Sequence, residues 1–212
     1  MKVSGIVVAG GRGERFGAPK QFLQAGDLRL VDYAVAAAAA TCDEVIVVLP
    51  VGSAWEGMPV AAAVPGGASR SASVRAGLAA TDPEASIVVV HDAARPLASV
   101  ELFELVIDAV RSGADAAVPA VGVADTLKRV AGGVVVETVD RADLVAVQTP
   151  QAFSASALRR AHASGDDATD DAALIEAAGG RVVAVLGDPR NLKVTTLADL
   201  ALVTTLLEAA PR

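Results

Sequence analysis

The sequence holds a single cysteine, Cys42, and two histidines in 212 residues. An internal disulfide is therefore impossible, and a reducing cytoplasm is the natural compartment. A zinc site built from Cys and His lacks ligands. No apolar run approaches the roughly 18 residues a membrane helix needs. The nearest, Tyr33 to Cys42, is a short alanine-rich stretch that reads as a buried helix face. The opening residues Met1-Lys2-Val3-Ser4-Gly5-Ile6 pass straight into a strand pattern, so no signal peptide is expected. Basic residues are also scarce: 18 Lys and Arg stand against 25 Asp and Glu, for a net charge of −7. A nucleic-acid binder usually carries a basic face, and this balance argues against that role.

What the chain does have is apolar material. With 53% hydrophobic and 20% charged residues, it can fill a sizeable core and is too hydrophobic for disorder. Val- and Ile-rich runs at Val3–Ala9, Val45–Leu49, Val60–Val64, Ile87–His91, Ala114–Val121 and Arg181–Leu186 read as strands. They are continuously apolar rather than alternating, as strands covered on both faces are. Helices are predicted over Val31–Ala40, Ser71–Ala80, Val100–Arg111, Ala155–Ala163, Asp170–Ala178 and Leu197–Ala209. Such alternation implies βαβ units: an α/β fold, a three-layer α/β/α sandwich on a mostly parallel, Rossmann-like sheet. Ligands of these sheets bind beyond the carboxyl ends of the strands. No linker or repeat divides the chain, so one domain over residues 1–212 is expected.

One stretch breaks the rhythm. From Asp125 to Val147, two β-rich runs flank Gly132-Gly133, a hairpin signal. A hairpin outside the βαβ order projects as an arm, and its apolar residues call for a cover. A second copy of the chain is the simplest one, so a homodimer through residues 125–147 is expected.

Several segments suit the chemistry of a phosphate ligand. The loop Ala9-Gly10-Gly11-Arg12-Gly13-Glu14-Arg15-Phe16-Gly17-Ala18-Pro19-Lys20 follows the first strand. Its glycines let the backbone approach a ligand and form an anion nest, while Arg15 and Lys20 add charge for a polyphosphate. The dinucleotide fingerprint fails on spacing, because the position that needs glycine is Phe16. A P-loop fails because Lys20 sits between Pro19 and Gln21. His91-Asp92-Ala93-Ala94-Arg95-Pro96 closes a strand. Asp92 there is suited to Mg²⁺ or to a substrate hydroxyl, and Arg95 to a phosphate. A plain helix start explains the same residues, and His91 reads as a packed strand-end residue. Gly66-Gly67-Ala68-Ser69-Arg70-Ser71-Ala72-Ser73-Val74 offers hydroxyls and free N–H groups to a base edge, or simply a helix cap.

These segments, with Asp125-Thr126-Leu127-Lys128, Val139-Asp140-Arg141, Thr149-Pro150-Gln151-Ala152-Phe153, Thr169-Asp170-Asp171 and Asn191-Leu192-Lys193-Val194-Thr195, run the length of the chain. In this order they resemble the 2-C-methyl-D-erythritol 4-phosphate cytidylyltransferase family of the non-mevalonate isoprenoid pathway. The resemblance implies transfer of a cytidylyl group from CTP to the polyol phosphate, with Mg²⁺ and release of pyrophosphate. By the family's pattern, Arg15 and Lys20 stabilise the α-phosphate, and Arg141 and Lys193 position the polyol phosphate. Asp92, Arg95, Thr126 and Thr169 line its pocket, with Asp92 also a metal candidate. Ala9, Gly10, Gly11, Arg12, Gly13, Gly67, Ser73 and Ala93 hold the nucleotide. The arm would carry Thr126 and Arg141 into the neighbour's site. Some relatives fuse a cyclodiphosphate synthase, which is not expected here. A ribitol 5-phosphate cytidylyltransferase shares the chemistry and is the nearest alternative. A non-catalytic nucleotide-binding module and a nicotinamide oxidoreductase are disfavoured, the first by the joint presence of Arg15, Lys20, Asp92 and Lys193, the second by the glycine spacing.

Overall fold

The computed structural model describes residues 1–11 and 19–209; Arg12, Gly13 and Arg15 lie outside them. In chain order the elements are β1 (Val3–Val8), a single 3₁₀ turn (Lys20–Phe22), β2 (Gln24–Ala25), β3 (Leu28–Arg29), α1 (Leu30–Ala39), β4 (Glu44–Leu49), β5 (Ala62–Pro65), α2 (Arg70–Ala79), β6 (Ile87–Asp92) and α3 (Val100–Arg111). They continue with β7 (Ala116–Gly122), β8 (Leu127–Ala131), β9 (Val134–Val139), β10 (Val145–Val147), β11 (Gln151–Ser154), α4 (Ala155–His162), α5 (Asp171–Ala177), β12 (Val182–Leu186) and α6 (Leu197–Ala209).

The eight-stranded main sheet runs β10-β7-β11-β6-β1-β4-β5, with β12 on the side of β7 that β11 leaves open. Pairings of β1 with β4 and β6, of β4 with β5 and of β7 with β12 are parallel. The strands alternate between two cores. On β6, Ile87 and Val89 enter one core and Val88 and Val90 the other. The first core takes Val31, Ala34, Val35 and Ala38 of α1 with Phe103, Val106, Ile107 and Val110 of α3. The second takes Val74 and Leu78 of α2, Leu158 of α4 and Leu174 and Ile175 of α5. Helices thus cover both faces, which is why these strands are apolar at successive positions. Phe103 and Phe153 are fully buried, each contributing roughly 1.5–3 kcal/mol of apolar burial.

Two features depart from the sequence reading. The four-residue β11 wedges antiparallel between β6 and β7, a mixed element too short to stand out by pattern. The arm is also narrower than Asp125–Val147. Only β8 and β9 form it, closed by Gly132 (φ 56°) and Gly133 (φ 80°), the positive pair that a type I′ turn demands. Val145–Val147 instead pairs with Ala120–Gly122 of the main sheet, because its backbone groups find partners there. The apolar arm residues Val130, Val134, Val135 and Val136 are all exposed.

Candidate active site

The strand ends converge on a cleft of about 600 Å³. Val8 ends β1 and Ala9, Gly10 and Gly11 follow it, Gly67 to Arg70 lead into α2, Asp92 ends β6 with Ala93 and Ala94 after it, and Lys193 and Thr195 follow β12. All of these lie on the carboxyl side of parallel strands, as the switch-point rule requires. Expected nucleotide residues Ala9, Gly10, Gly11, Gly67, Ser73 and Ala93 line this cleft, and so does Lys20.

The floor is held by side chains working on backbone. The buried amide of Gln21 donates to the carbonyls of Ala9 at 2.6 Å and Gly11 at 2.9 Å, which fixes the start of the glycine loop. Ser73 Oγ accepts from the Gly67 N–H at 3.1 Å and donates to Ser69 O at 2.9 Å. Close approach explains Gly66: a Cβ there would sit 2.9 Å from Ser73 Oγ and 3.4 Å from Gly10 Cα. Ser69 is indeed the cap of α2, accepting from Ala72 N at 3.0 Å. Capping and site building are therefore both served by one segment. Lys20 Nζ donates to Val194 O at 2.6 Å, tying the glycine loop's end to the segment that carries Lys193.

A second cavity, of about 210 Å³, adjoins the first and is lined by Arg70, Asp92, Arg95, Val147, Gln148, Thr149, Gln151, Thr169, Asp170 and Lys193. Arg70, Asp92 and Lys193 line both cavities and so mark their junction. Lys193 Nζ donates to Asp92 Oδ2 at 2.6 Å, and Arg70 Nε donates to Asp92 Oδ1 at 3.4 Å. Burial opposes ionisation of Asp92, but the charges of Arg70 and Lys193 outweigh it and hold the carboxyl well below the usual carboxylate range. Both carboxylate oxygens are engaged by cations, and among the described residues no group of three His, Cys, Asp or Glu converges on one point. This donor set suits an ion-pair organiser and does not fit a resident metal site on Asp92. Arg95 is held by Asn191 O at 2.7 Å. Two buried polar atoms on the walls, Arg95 Nε and Gln151 Oε1, have no hydrogen-bond partner among the described residues.

His91 is a packing residue. Its Nδ1 meets Thr149 Oγ1 at 3.2 Å, its Nε2 meets Arg95 O at 3.1 Å, and its ring lies 5.0 Å from that of Phe103. Burial pushes its pKa down to about 4, so the ring is neutral near neutral pH. Thr149 Oγ1 also accepts from Asp92 N at 3.0 Å, and Asn191 Nδ2 donates to Thr149 O at 2.9 Å.

The structure brings together Lys20, Asp92, Arg95, Thr169 and Lys193, but not Thr126 and Arg141, which line neither cavity. Arg141 Nη1 donates instead to the carbonyls of Val123 and Ala124 at the base of the arm. Sequence reasoning gave no role to Gln21 or Asp171, and counted Arg70 only among the loop cations that could form an anion site. Arg70 did leave a signal: a cation in the first turn of a helix opposes the helix dipole, so something must hold it there.

Comparison with known proteins bears directly on this geometry. The family model "IspD: 2-C-methyl-D-erythritol 4-phosphate cytidylyltransferase" matches residues 3–209. The chain is 48% identical to the 2-C-methyl-D-erythritol 4-phosphate cytidylyltransferase of Nocardia farcinica, over 97% of this chain and 94% of that one. It is 46% identical to the bifunctional enzyme IspD/IspF of Granulibacter bethesdensis, covering 95% of this chain and 55% of that protein. The crystal structure of the Thermus thermophilus cytidylyltransferase superposes with a TM-score of 0.85 at 36% identity, over 96% of this chain and 98% of that one. The chain belongs to the 2-C-methyl-D-erythritol 4-phosphate cytidylyltransferase family, and is a nucleotidyltransferase.

Proposed function

We propose that this chain transfers the cytidylyl group of CTP to 2-C-methyl-D-erythritol 4-phosphate, giving 4-diphosphocytidyl-2-C-methyl-D-erythritol and pyrophosphate for isoprenoid precursor synthesis. The carrying observation is the pair of adjoining cavities, one suited by size and backbone to a nucleotide, the other small and flanked by Arg70, Arg95 and Lys193. A phosphate oxygen of the polyol attacks the α-phosphorus of CTP, the bond to the β-phosphate oxygen breaks, and pyrophosphate leaves. The nucleophile is already an anion, so no general base is needed, which agrees with a neutral, packed His91. The protein supplies position and charge.

In this reading Lys20 and Arg15 stabilise the α-phosphate. Lys193 and Arg141 orient the polyol's phosphate, while Asp92, Arg95, Thr126 and Thr169 line its pocket. Ser73, Gly67, Ala93, Arg12, Gly13 and the Ala9–Gly11 backbone hold the nucleotide. Mg²⁺ enters as part of the nucleotide substrate, since this ion is commonly bound through substrate phosphates rather than a protein cage. Pairing of the arm with a twofold-related copy would bury Val130 and Val134–Val136 and bring Thr126 and Arg141 to the partner's site. A cytoplasmic location accords with a lone free cysteine, Cys42, whose thiol burial pushes up to about 12. Isolation of the cytidylyl–polyol diphosphate from a CTP reaction tests the assignment; ribitol 5-phosphate, the alternative acceptor, serves as the comparison.

A further inference from the structure

Behind the junction of the two cavities lies Asp171, a buried charge to which the proposed reaction gives no part. Asp171, fully buried at the start of α5, accepts from Arg70 Nη1 at 2.7 Å and from His162 Nε2 at 3.0 Å. A buried carboxylate is tolerable only with its charge matched, so Asp171 and Arg70 hold each other. Asp171 is itself fixed by its helix: Asp170 caps α5 by accepting from Ala173 N at 3.0 Å, and also takes Gln151 Nε2 at 3.1 Å. Anchored in this way, Arg70 turns its Nε to one oxygen of Asp92, while Lys193 takes the other. The desolvated guanidinium stays charged because Asp92 and Asp171 outweigh its burial.

The consequence concerns Lys193. With Arg70 removed or displaced, the whole charge of Asp92 would fall on Lys193, already in contact at 2.6 Å, and hold its ammonium more tightly against the pull of a substrate phosphate. We propose that Arg70, locked by Asp171, is a positioning residue that shares the charge of Asp92 and thereby keeps Lys193 available to the polyol phosphate. This rests on the cytidylyltransferase reading above. Asp171 lines neither cavity, so its substitution probes the relay without touching a substrate.

The test measures KM for CTP and for methylerythritol 4-phosphate separately in the full-length chain. Asp171→Asn should raise KM for the polyol phosphate by roughly 10–100-fold, the scale of a displaced positioning group, and move KM for CTP by no more than about 3-fold. In an Asp92→Asn background the same change should add little, because the two act as one unit. Arg70→Lys, which keeps the charge and loses the fork, supplies the same cycle if Asp171→Asn does not fold. Equal rises in both KM values, or effects that multiply independently of Asp92, would reduce Arg70 and Asp171 to a structural pair and overturn the proposal. If the unsubstituted chain makes no product from CTP and this acceptor, the functional assignment falls first, and the relay with it.

Discussion

Lys193 and Asp92 meet at 2.6 Å although 101 positions separate them in the chain. The contact links the carboxyl end of β6 to the loop after β12, on the wall shared by both cavities. Lys193→Ala should therefore cut kcat/KM for the polyol phosphate by about 100-fold, the scale for a lost charge-stabilising donor. KM for CTP should change far less. Steady-state titration of each substrate decides this; a loss confined to CTP would move Lys193 to the nucleotide side.

In the proposed reaction Lys20 and Arg15 act on the other substrate. Lys20→Ala and Arg15→Ala should each lower kcat by about 10²–10³ with only a small rise in KM for CTP. An unchanged kcat with a raised KM would mean that these cations bind the ground state and do not act on the transition state.

Much of this arrangement was legible in the sequence. The doubly covered strands were apparent because β1, β4 and β6 are apolar at successive positions. The arm's turn was apparent because Gly132-Gly133 permits two positive φ angles in succession. Ser73, Asp92 and Lys193 were named from the family pattern, and all three line the cleft. The rest depended on contacts between distant segments. Nothing local in Gln151–Ser154 reveals that it slots antiparallel between β6 and β7, since that pairing is decided by neighbours. Nor does Asp171 look different from the helix cap beside it; its part becomes visible only when Arg70 is seen to reach it. The ion pairs of Asp92 were hidden in the same way, because strand-end position does not show that two cations engage the carboxylate.

His91 gives the fold a pH dependence. Its folded pKa, about 4, lies below the ordinary value of 6.5, so between those limits the unfolded chain binds a proton that the folded chain refuses. Stability therefore falls as pH drops through this window, by on the order of 3 kcal/mol for a shift of this size. Denaturant melts at pH 7 and pH 4.5 should show the loss, and His91→Asn should flatten the slope between them. An identical slope in the variant would assign the effect to other groups.

Assembly is tested by complementation. Arg141→Ala and Lys20→Ala should each keep no more than about a hundredth of the activity as single variants. Mixed under subunit exchange, they should recover part of the activity if each site borrows Arg141 from its neighbour, because one site of the mixed dimer is then intact. No recovery from a dimer would remove the shared site, and an active monomer by light scattering would remove the dimer as well.

The most direct measurement is pyrophosphate release with each of the four ribonucleoside triphosphates and with methylerythritol 4-phosphate or ribitol 5-phosphate as acceptor. Release should require CTP and methylerythritol 4-phosphate together, with Mg²⁺ present, and should stop in excess chelator. Equal release with ribitol 5-phosphate, or with any triphosphate in place of CTP, would contradict the assignment.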